Sequence, residues 1–427
     1  MPDGGTDGGE GGGGGGAATG GGSTSGGGGG PTGGGAPSGP GQLDARFGSG
    51  GVSTLSFAGC ALQSARAAAT QGTRVYLASN VCGAGAVLAV DAITGSLIST
   101  YGGGGRASLG DAPAPDSIVV QSDGTQTVGF AALPTDGGLA LELVLARLDA
   151  SGQAVTTFGV GGLLALPGSE YGDPLRLALD SNDRLYVVSR AESGSPRGLM
   201  VRRVFSTGLL DATWGDGGVA FVSHATRDLI PSSAVVDGAR LIIGGTAQNP
   251  TTSTTLSFLA RLESTGTADP AFGAGGVFIS TNNTGSDFIS RVAVQPDGKV
   301  IGFGTEGTST PFLLRVTAAG ADDPTFGTAG RTTIYASALD FAKDLALDSS
   351  GRVLVVGNGT TSSLTLEPWL LRYTSSGTTD PSFGSAGRAA PASVVVAGVT
   401  RAADGVLIFG EANTDAGVEI RVIRYGE

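Results

Sequence analysis

Histidine occurs once in these 427 residues, at His224, lysine twice, at Lys299 and Lys343, and cysteine twice, at Cys60 and Cys82. A single histidine excludes multi-histidine metal centres and would make any Ser-His-Asp arrangement depend on His224 alone. That residue stands with Arg227 and Asp228 in an irregular segment and reads as a solvated loop side chain. CxxC redox and zinc motifs are absent. Basic residues number 25 against 37 acidic ones, a net charge of -12, so phosphate backbones and anionic membrane surfaces would be repelled and nucleic acid is excluded as a partner class. No apolar run approaches the roughly 18 residues of a membrane-spanning helix, so no transmembrane segment is expected. No segment carries a sustained helical period with caps, and there is no GxSxG, P-loop or HExxH string.

Glycine is what the chain has in excess, 78 residues. Of these, 23 fall in residues 1–41, in runs such as Gly11 to Gly16 and Gly26 to Gly30. That stretch reads as a disordered, solvated Gly/Ser-rich tether. It is similar to the spacer that follows the lipidated cysteine of bacterial surface lipoproteins, although Met1-Pro2-Asp3 carries neither that cysteine nor a signal. An export signal missing from this start, and a cell-surface, periplasmic or secreted location, are therefore expected. From residue 42 onward, low charge and a positive mean hydropathy of +0.17 for the whole chain supply the material for a folded body.

The body repeats. An aromatic followed by Gly recurs at Phe47, Tyr101, Phe158, Trp214, Phe272, Phe326 and Phe383, at intervals of 54 to 58 residues. A turn anchor recurs at Gly72, Gly124, Asp183, Gly238, Gly298, Gly351 and Gly405, and an apolar strand ending in Arg recurs at Arg147, Arg203, Arg261, Arg315, Arg372 and Arg424, with Val90 in the first unit. Each unit holds four short Val/Ile/Leu/Phe-rich strands; in residues 276–320 they are GVFIS, SRVAVQ, KVIGFG and PFLLRV. One such sheet exposes both faces, whereas seven stacked radially cover one another. The fold expected is all-β: one seven-bladed β-propeller over residues 42–427, with four strands per blade. The body opens in mid-unit and closes on the Arg424 strand, so residues 51–57 are expected to complete the last blade and close the ring.

The Arg anchor is followed eight residues later by Asp in Arg203 and Asp211, Arg261 and Asp269, Arg315 and Asp323, and Arg372 and Asp380. Both are lost together at Val90 and Ile98, and Arg147 faces Val155. Arg424 has no Asp after it and Asp44 no Arg before it, so ring closure would join these two. The alternative is that each Asp only starts a turn.

These anchors resemble the delta-60 repeat family of bacterial proteins, with VQPDGKV at 294–300 and DPTFG at 323–327 nearest its pattern and AATQGTRV in the first unit departing from it. The resemblance implies an exported or cell-surface repeat protein, usually without an assigned biochemical activity.

Residues repeated seven times are structural, so function belongs to what the repeats leave variable. The turn anchors and the aromatic-Gly loops share one face; the irregular loops that enter each inner strand share the other and are the expected ligand face. There Asp116, Asp173, Asp228, Asp287 and Asp340 recur ahead of the turn anchors. Converging, they would form a carboxylate ring at the channel mouth able to hold Ca²⁺; alternatively each caps its own loop. Apart from such Ca²⁺ no cofactor is expected. Cys60 and Cys82 lie at near-equal offsets about the first hairpin turn, which sets them opposite one another, as a disulfide or as two thiols. The leading expectation is a monomeric, non-enzymatic surface propeller binding a protein or glycan; the alternative is a Ca²⁺-dependent propeller hydrolase or lactonase.

Overall fold

The computed structural model describes residues 38–132, 142–166, 175–281, 286–335, 339–360, 366–389, 391, 394–402, 405–415 and 417–427. They form twenty-eight strands in seven four-stranded antiparallel sheets. The chain is a seven-bladed β-propeller. The first strands of successive blades are β2 (Gln63–Gln71), β6 (Ser117–Val120), β10 (Arg176–Leu179), β14 (Asp228–Asp237), β18 (Asp287–Val294), β22 (Leu339–Leu347) and β26 (Val395–Ala402), opening blades 1 to 7. Each neighbours the next around the axis, and β26 returns to β2. Among the described residues no helix is long and apolar enough to cross a membrane.

The strands form because short runs of β-branched and aliphatic residues alternate with Gly-led turns, and they are stable because the blades cover one another. The buried apolar side chains fall into seven clusters, each drawn from two adjacent blades. Blades 3 and 4, for instance, share Tyr186, Val188, Trp214, Leu241 and Phe258. The core of this protein is therefore a set of interfaces between blades.

The three repeated anchors prove to be one structural unit. Arg147, Arg203, Arg261, Arg315 and Arg372 each lie over the aromatic ring of their own blade, with the guanidinium carbon 4.6 Å from the Phe272 centroid for Arg261 and 4.7 Å from the Phe326 centroid for Arg315. Four of them pair with the Asp eight residues on: Arg203 with Asp211 at 2.7 Å, Arg261 with Asp269 at 2.7 Å, Arg315 with Asp323 at 2.8 Å and Arg372 with Asp380 at 2.8 Å. The Gly after the aromatic then donates its N–H to the next blade, as in Gly215 to the Thr265 carbonyl at 2.8 Å and Gly273 to the Ala319 carbonyl at 2.9 Å. Arg147, which has no Asp, bonds Gln121 Oε1 instead and keeps its place over Phe158. At the turn anchor that is not glycine, Asp183 adopts a left-handed φ of 59° and accepts a hydrogen bond from the Ser122 N–H of the preceding blade at 2.9 Å.

The ring closes with a strand from each end of the chain. β1 (Val52–Leu55) pairs antiparallel with β28 (Gly417–Gly426), Val52 opposite Ile423 and Leu55 opposite Ile420. The closure reaches further toward the N-terminus than residue 42. The Pro40 carbonyl accepts the seventh inter-blade bond, from Gly384 N–H at 3.0 Å, and Gly41 N–H donates to the Gly426 carbonyl at 2.9 Å. A side chain at Gly41 would meet the Gly384 backbone at 2.3 Å. Residues 38–41, grouped with the tether on composition, are part of the ring.

Cys60 and Cys82 form a disulfide with Cα atoms 4.7 Å apart. Both lie just beyond the strands, Cys60 in the segment crossing from β1 to β2 and Cys82 in the turn after β3 (Arg74–Val81). The bridge ties the crossing segment to blade 1. On its other side, that segment receives the Val418 N–H on the Ala61 carbonyl at 3.0 Å.

Candidate functional site

The axis of the ring holds a cavity of about 670 Å³ lined by residues of all seven inner strands or their immediate approaches, within the size range of small-ligand sites. Five charged side chains face it: Arg66, Asp116, Arg176, Arg291 and Asp344. Ser117, Ser232 and Ser233 supply hydroxyls, and Ala68, Ile118, Leu177 and Val399 supply apolar wall.

β-bulges help aim several of these groups. The registers of β2, β14, β18, β22 and β26 with their second strands shift at Ala65/Ala67, Pro231/Ser233, Ile289/Arg291, Ala342/Asp344 and Val396/Gly398. A bulge inserts one residue and resets the alternation of side chains. Arg66 occupies the extra position in β2, and Arg291 and Asp344 follow the extra residue in β18 and β22.

Arg291 Nε donates to Asp344 Oδ1 at 2.8 Å, and Asp344 also accepts the Leu345 N–H and, from blade 7, the Val399 N–H, each at 3.0 Å. Burial pushes the Asp344 carboxyl above the usual range, against the pull of the Arg291 charge. Arg66 Nη1 lies 2.8 Å from Asp116 Oδ1, with both side chains about half exposed. Arg176 is held differently: Nε donates to the Ser232 carbonyl at 2.5 Å and Nη1 to the Leu175 carbonyl at 2.8 Å. No carboxylate among the described residues lies within ion-pair distance of it. Burial, with the repelling Arg291 charge, lowers its pKa to about 10, which still leaves it cationic at neutral pH.

The aspartates expected at the mouth are not gathered into one ring. Those described each reach toward the preceding blade. Asp116 meets Arg66 of blade 1. Asp228 meets Arg190 of blade 3 at 2.5 Å and accepts the Arg197 N–H at 2.7 Å. Asp287, fully buried, accepts the N–H and hydroxyl of Ser257 in blade 4 at 3.0 and 3.1 Å, with Arg331 at 3.5 Å. Asp340 is buried, and its own N–H donates to the Ser309 carbonyl of blade 5 at 3.2 Å. Asp173 lies outside the described residues. Among the described residues no group of three or more His, Cys, Asp or Glu side chains could hold a metal ion. Asp116, Asp228 and Asp287 are instead each engaged by a cation or a backbone amide of the neighbouring blade.

His224 is partly exposed, and its Nδ1 accepts the Thr226 N–H at 3.3 Å. Partial burial and the Arg227 charge lower its pKa, so it is neutral near pH 7.

On blades 5 to 7 the exposed apolar side chains Phe288, Phe341 and Val395 lie on the inner strands β18, β22 and β26, whereas Tyr335, at 85% exposure, follows the outermost strand of blade 5 and Leu366 opens the third strand of blade 6. The face of the regular loops carries Val160, Phe205 and Leu209. The channel cations escape the sequence pattern because the position that holds Arg176 and Arg291 in blades 3 and 5 holds Ser117, Asp344 and Gly398 in blades 2, 6 and 7.

No family model matches the chain, and no curated protein matches it. Solved structures do. The chain is similar to the polysaccharide lyase Uly1 at 10% identity and a TM-score of 0.48, over 84% of this chain and 89% of that one. It is also similar to the β-propeller domain of the Trilobed protease from Pyrococcus furiosus at 9% identity and 0.48, over 87% and 96%. A Trypanosoma rangeli sialidase matches at 11% identity and 0.40, over 72% and 54%.

Proposed function

We propose that this chain is an exported or cell-surface propeller of the delta-60 type that binds a ligand on its irregular face without transforming it. The observation that carries the reading is an open, charged axial cavity whose inner strands β18 and β22 also carry the exposed aromatic side chains Phe288 and Phe341. Exposed aromatic groups on the strands of a hydrogen-bonding cavity suit a ligand with both apolar and polar faces, and a glycan has that character. A hydrolase of the Ca²⁺ type would need several carboxylates about one point, whereas Asp228 and Asp287 are each engaged by the preceding blade.

A glycan array probed with the full chain tests this. Retention of one glycan class is expected, with the signal lost in the Phe288→Ala/Phe341→Ala variant and kept in the Val160→Ser/Leu209→Ser variant of the opposite face. Retention that depended on Val160 and Leu209 instead, or turnover of lactone or ester substrates on adding Ca²⁺, would overturn it.

A further inference from the structure

Arg203, Arg261, Arg315, Arg372 and Arg424 each have their Asp, and buried Arg147 is met by Gln121 instead. Arg176, at the axis, has no carboxylate within ion-pair distance among the described residues. It lines the cavity, its guanidinium is fixed by two main-chain carbonyls, and the nearest charge that burdens it is another guanidinium, Arg291. The Arg291 charge is itself shared with Asp344. Asp116 attracts Arg176 from beyond ion-pair distance while committed to Arg66. Among the described residues the channel thus carries three guanidinium groups against two carboxylates, inside a chain whose net charge is -12.

A guanidinium whose Nε and Nη1 each donate to a carbonyl still carries hydrogens on Nη1 and Nη2 at its outer end, and that terminal pair can meet a carboxylate bidentately. The half-exposed Arg66 and Asp116 show that the cavity opens to solvent. From these observations we infer that the axial channel is a binding site for a carboxylate-bearing small ligand, an acidic sugar or its acidic end group, seated against Arg176 with Arg291 as the second cation. Ser232 and Ser233 lie beside this position and are engaged with the neighbouring blade through the Ile289 carbonyl and the Val292 N–H, so the wall is preorganised. The inference rests on the binding reading above only in taking the ligand to be a saccharide.

The test is calorimetric titration of the full chain at low ionic strength with D-glucuronate, D-glucose and inorganic sulfate. D-Glucuronate is expected to bind at least about tenfold more tightly than D-glucose, the scale of one charge-assisted bidentate contact, and more tightly than sulfate. Arg176→Gln should remove that preference while the thermal midpoint without ligand shows a folded protein. Asp344→Asn, which removes a negative charge from the wall, should tighten D-glucuronate binding; a merely structural role for these residues would weaken it in both variants. Equal binding of D-glucuronate and D-glucose, or a D-glucuronate affinity unmoved by Arg176→Gln, overturns the carboxylate assignment while leaving the glycan-array result to judge the wider reading. Sulfate binding as tight as D-glucuronate overturns it as well.

Discussion

Arg424, three residues from the C-terminus, lies with its Nε 3.1 Å from Oδ2 of Asp44, and both side chains are almost completely buried. The pair repeats across the ring closure what Arg203 and Asp211 do within a blade. Asp44 is also gripped by Arg46 at 2.6 Å, and Arg424 reaches on to the Ala92 carbonyl of blade 1. Three stretches of chain far apart in sequence meet at this point.

Removing one partner leaves the other charge buried and uncompensated, which typically costs about 3–5 kcal/mol. Asp44→Ala should therefore lower the urea midpoint sharply, and Asp44→Arg more so. Because the loss falls on the closing blade, β1 and β28 should show the largest gain in amide hydrogen exchange. An unchanged midpoint in both variants would show that closure does not depend on this pair.

The same aspartates set a pH dependence. Hydrogen bonds and the charge of Arg46 lead in holding Asp44 below the ordinary carboxyl range. For Asp211, Asp323 and Asp380 burial pushes upward, but bonds from Thr213, Thr325 and Ser382 and the anchor arginines outweigh it; Asp323 falls to about 2. A carboxyl depressed in the folded state contributes stability that is complete above its unfolded value, near 3.8 here, and is lost as the pH falls through its folded value. The thermal midpoint should accordingly be insensitive to these groups above about pH 5 and decline steadily between about pH 4 and 2. Scanning calorimetry across that range reads it directly, and a midpoint flat down to pH 2 would contradict it.

The Cys60–Cys82 bridge closes a separation of 22 residues, a length for which loss of a disulfide costs about 2–4 kcal/mol. Cys60→Ser/Cys82→Ser should unfold earlier than the parent in urea by that amount. Reductant should shift the parent to the same midpoint and leave the variant unmoved. Peptide mapping without reductant should recover the linked pair.

Two glycines, one in the open Trp214 loop and one packed between blades 3 and 4, separate packing from backbone strain. Gly217 has φ 59° with open space at its Cβ position, whereas Gly266 has φ 91° and a methyl there would lie 2.9 Å from the Trp214 ring and the Gly215 backbone. Gly217→Ala should cost about 1–2 kcal/mol, the left-handed backbone penalty alone. Gly266→Ala should cost a further 1–3 kcal/mol or so through overpacking. Equal midpoints for the two variants would mean that blades 3 and 4 can part at no cost.

Much of the architecture was legible because it is periodic. A residue type that recurs seven times in fixed order announces a shared local role, and the Arg-to-Asp spacing of eight predicted pairs that the structure then shows, Arg424 with Asp44 included. The turn at Asp183 was legible too, as the one anchor where a side chain must accept a left-handed φ. The reading failed at Pro40 and Gly41, whose composition matches the tether while their position makes them the seventh inter-blade contact.

The sequence by itself determined the number of blades, the strands in each and the pairing that closes the ring, and it set the two cysteines opposite one another without deciding between a disulfide and two thiols. All of these follow from local patterns counted along the chain. Only the tertiary structure decided what faces the axis. Bulges in the inner strands reset the two-residue alternation, so neighbours such as Arg291 and Ser290 cannot be sorted inward or sideways by parity. The aspartates of the irregular face turned to the preceding blade for the same kind of reason. Their partners, Arg66 for Asp116 and Ser257 for Asp287, lie 50 and 30 residues away in sequence, and proximity of that kind exists only once the blades are packed side by side.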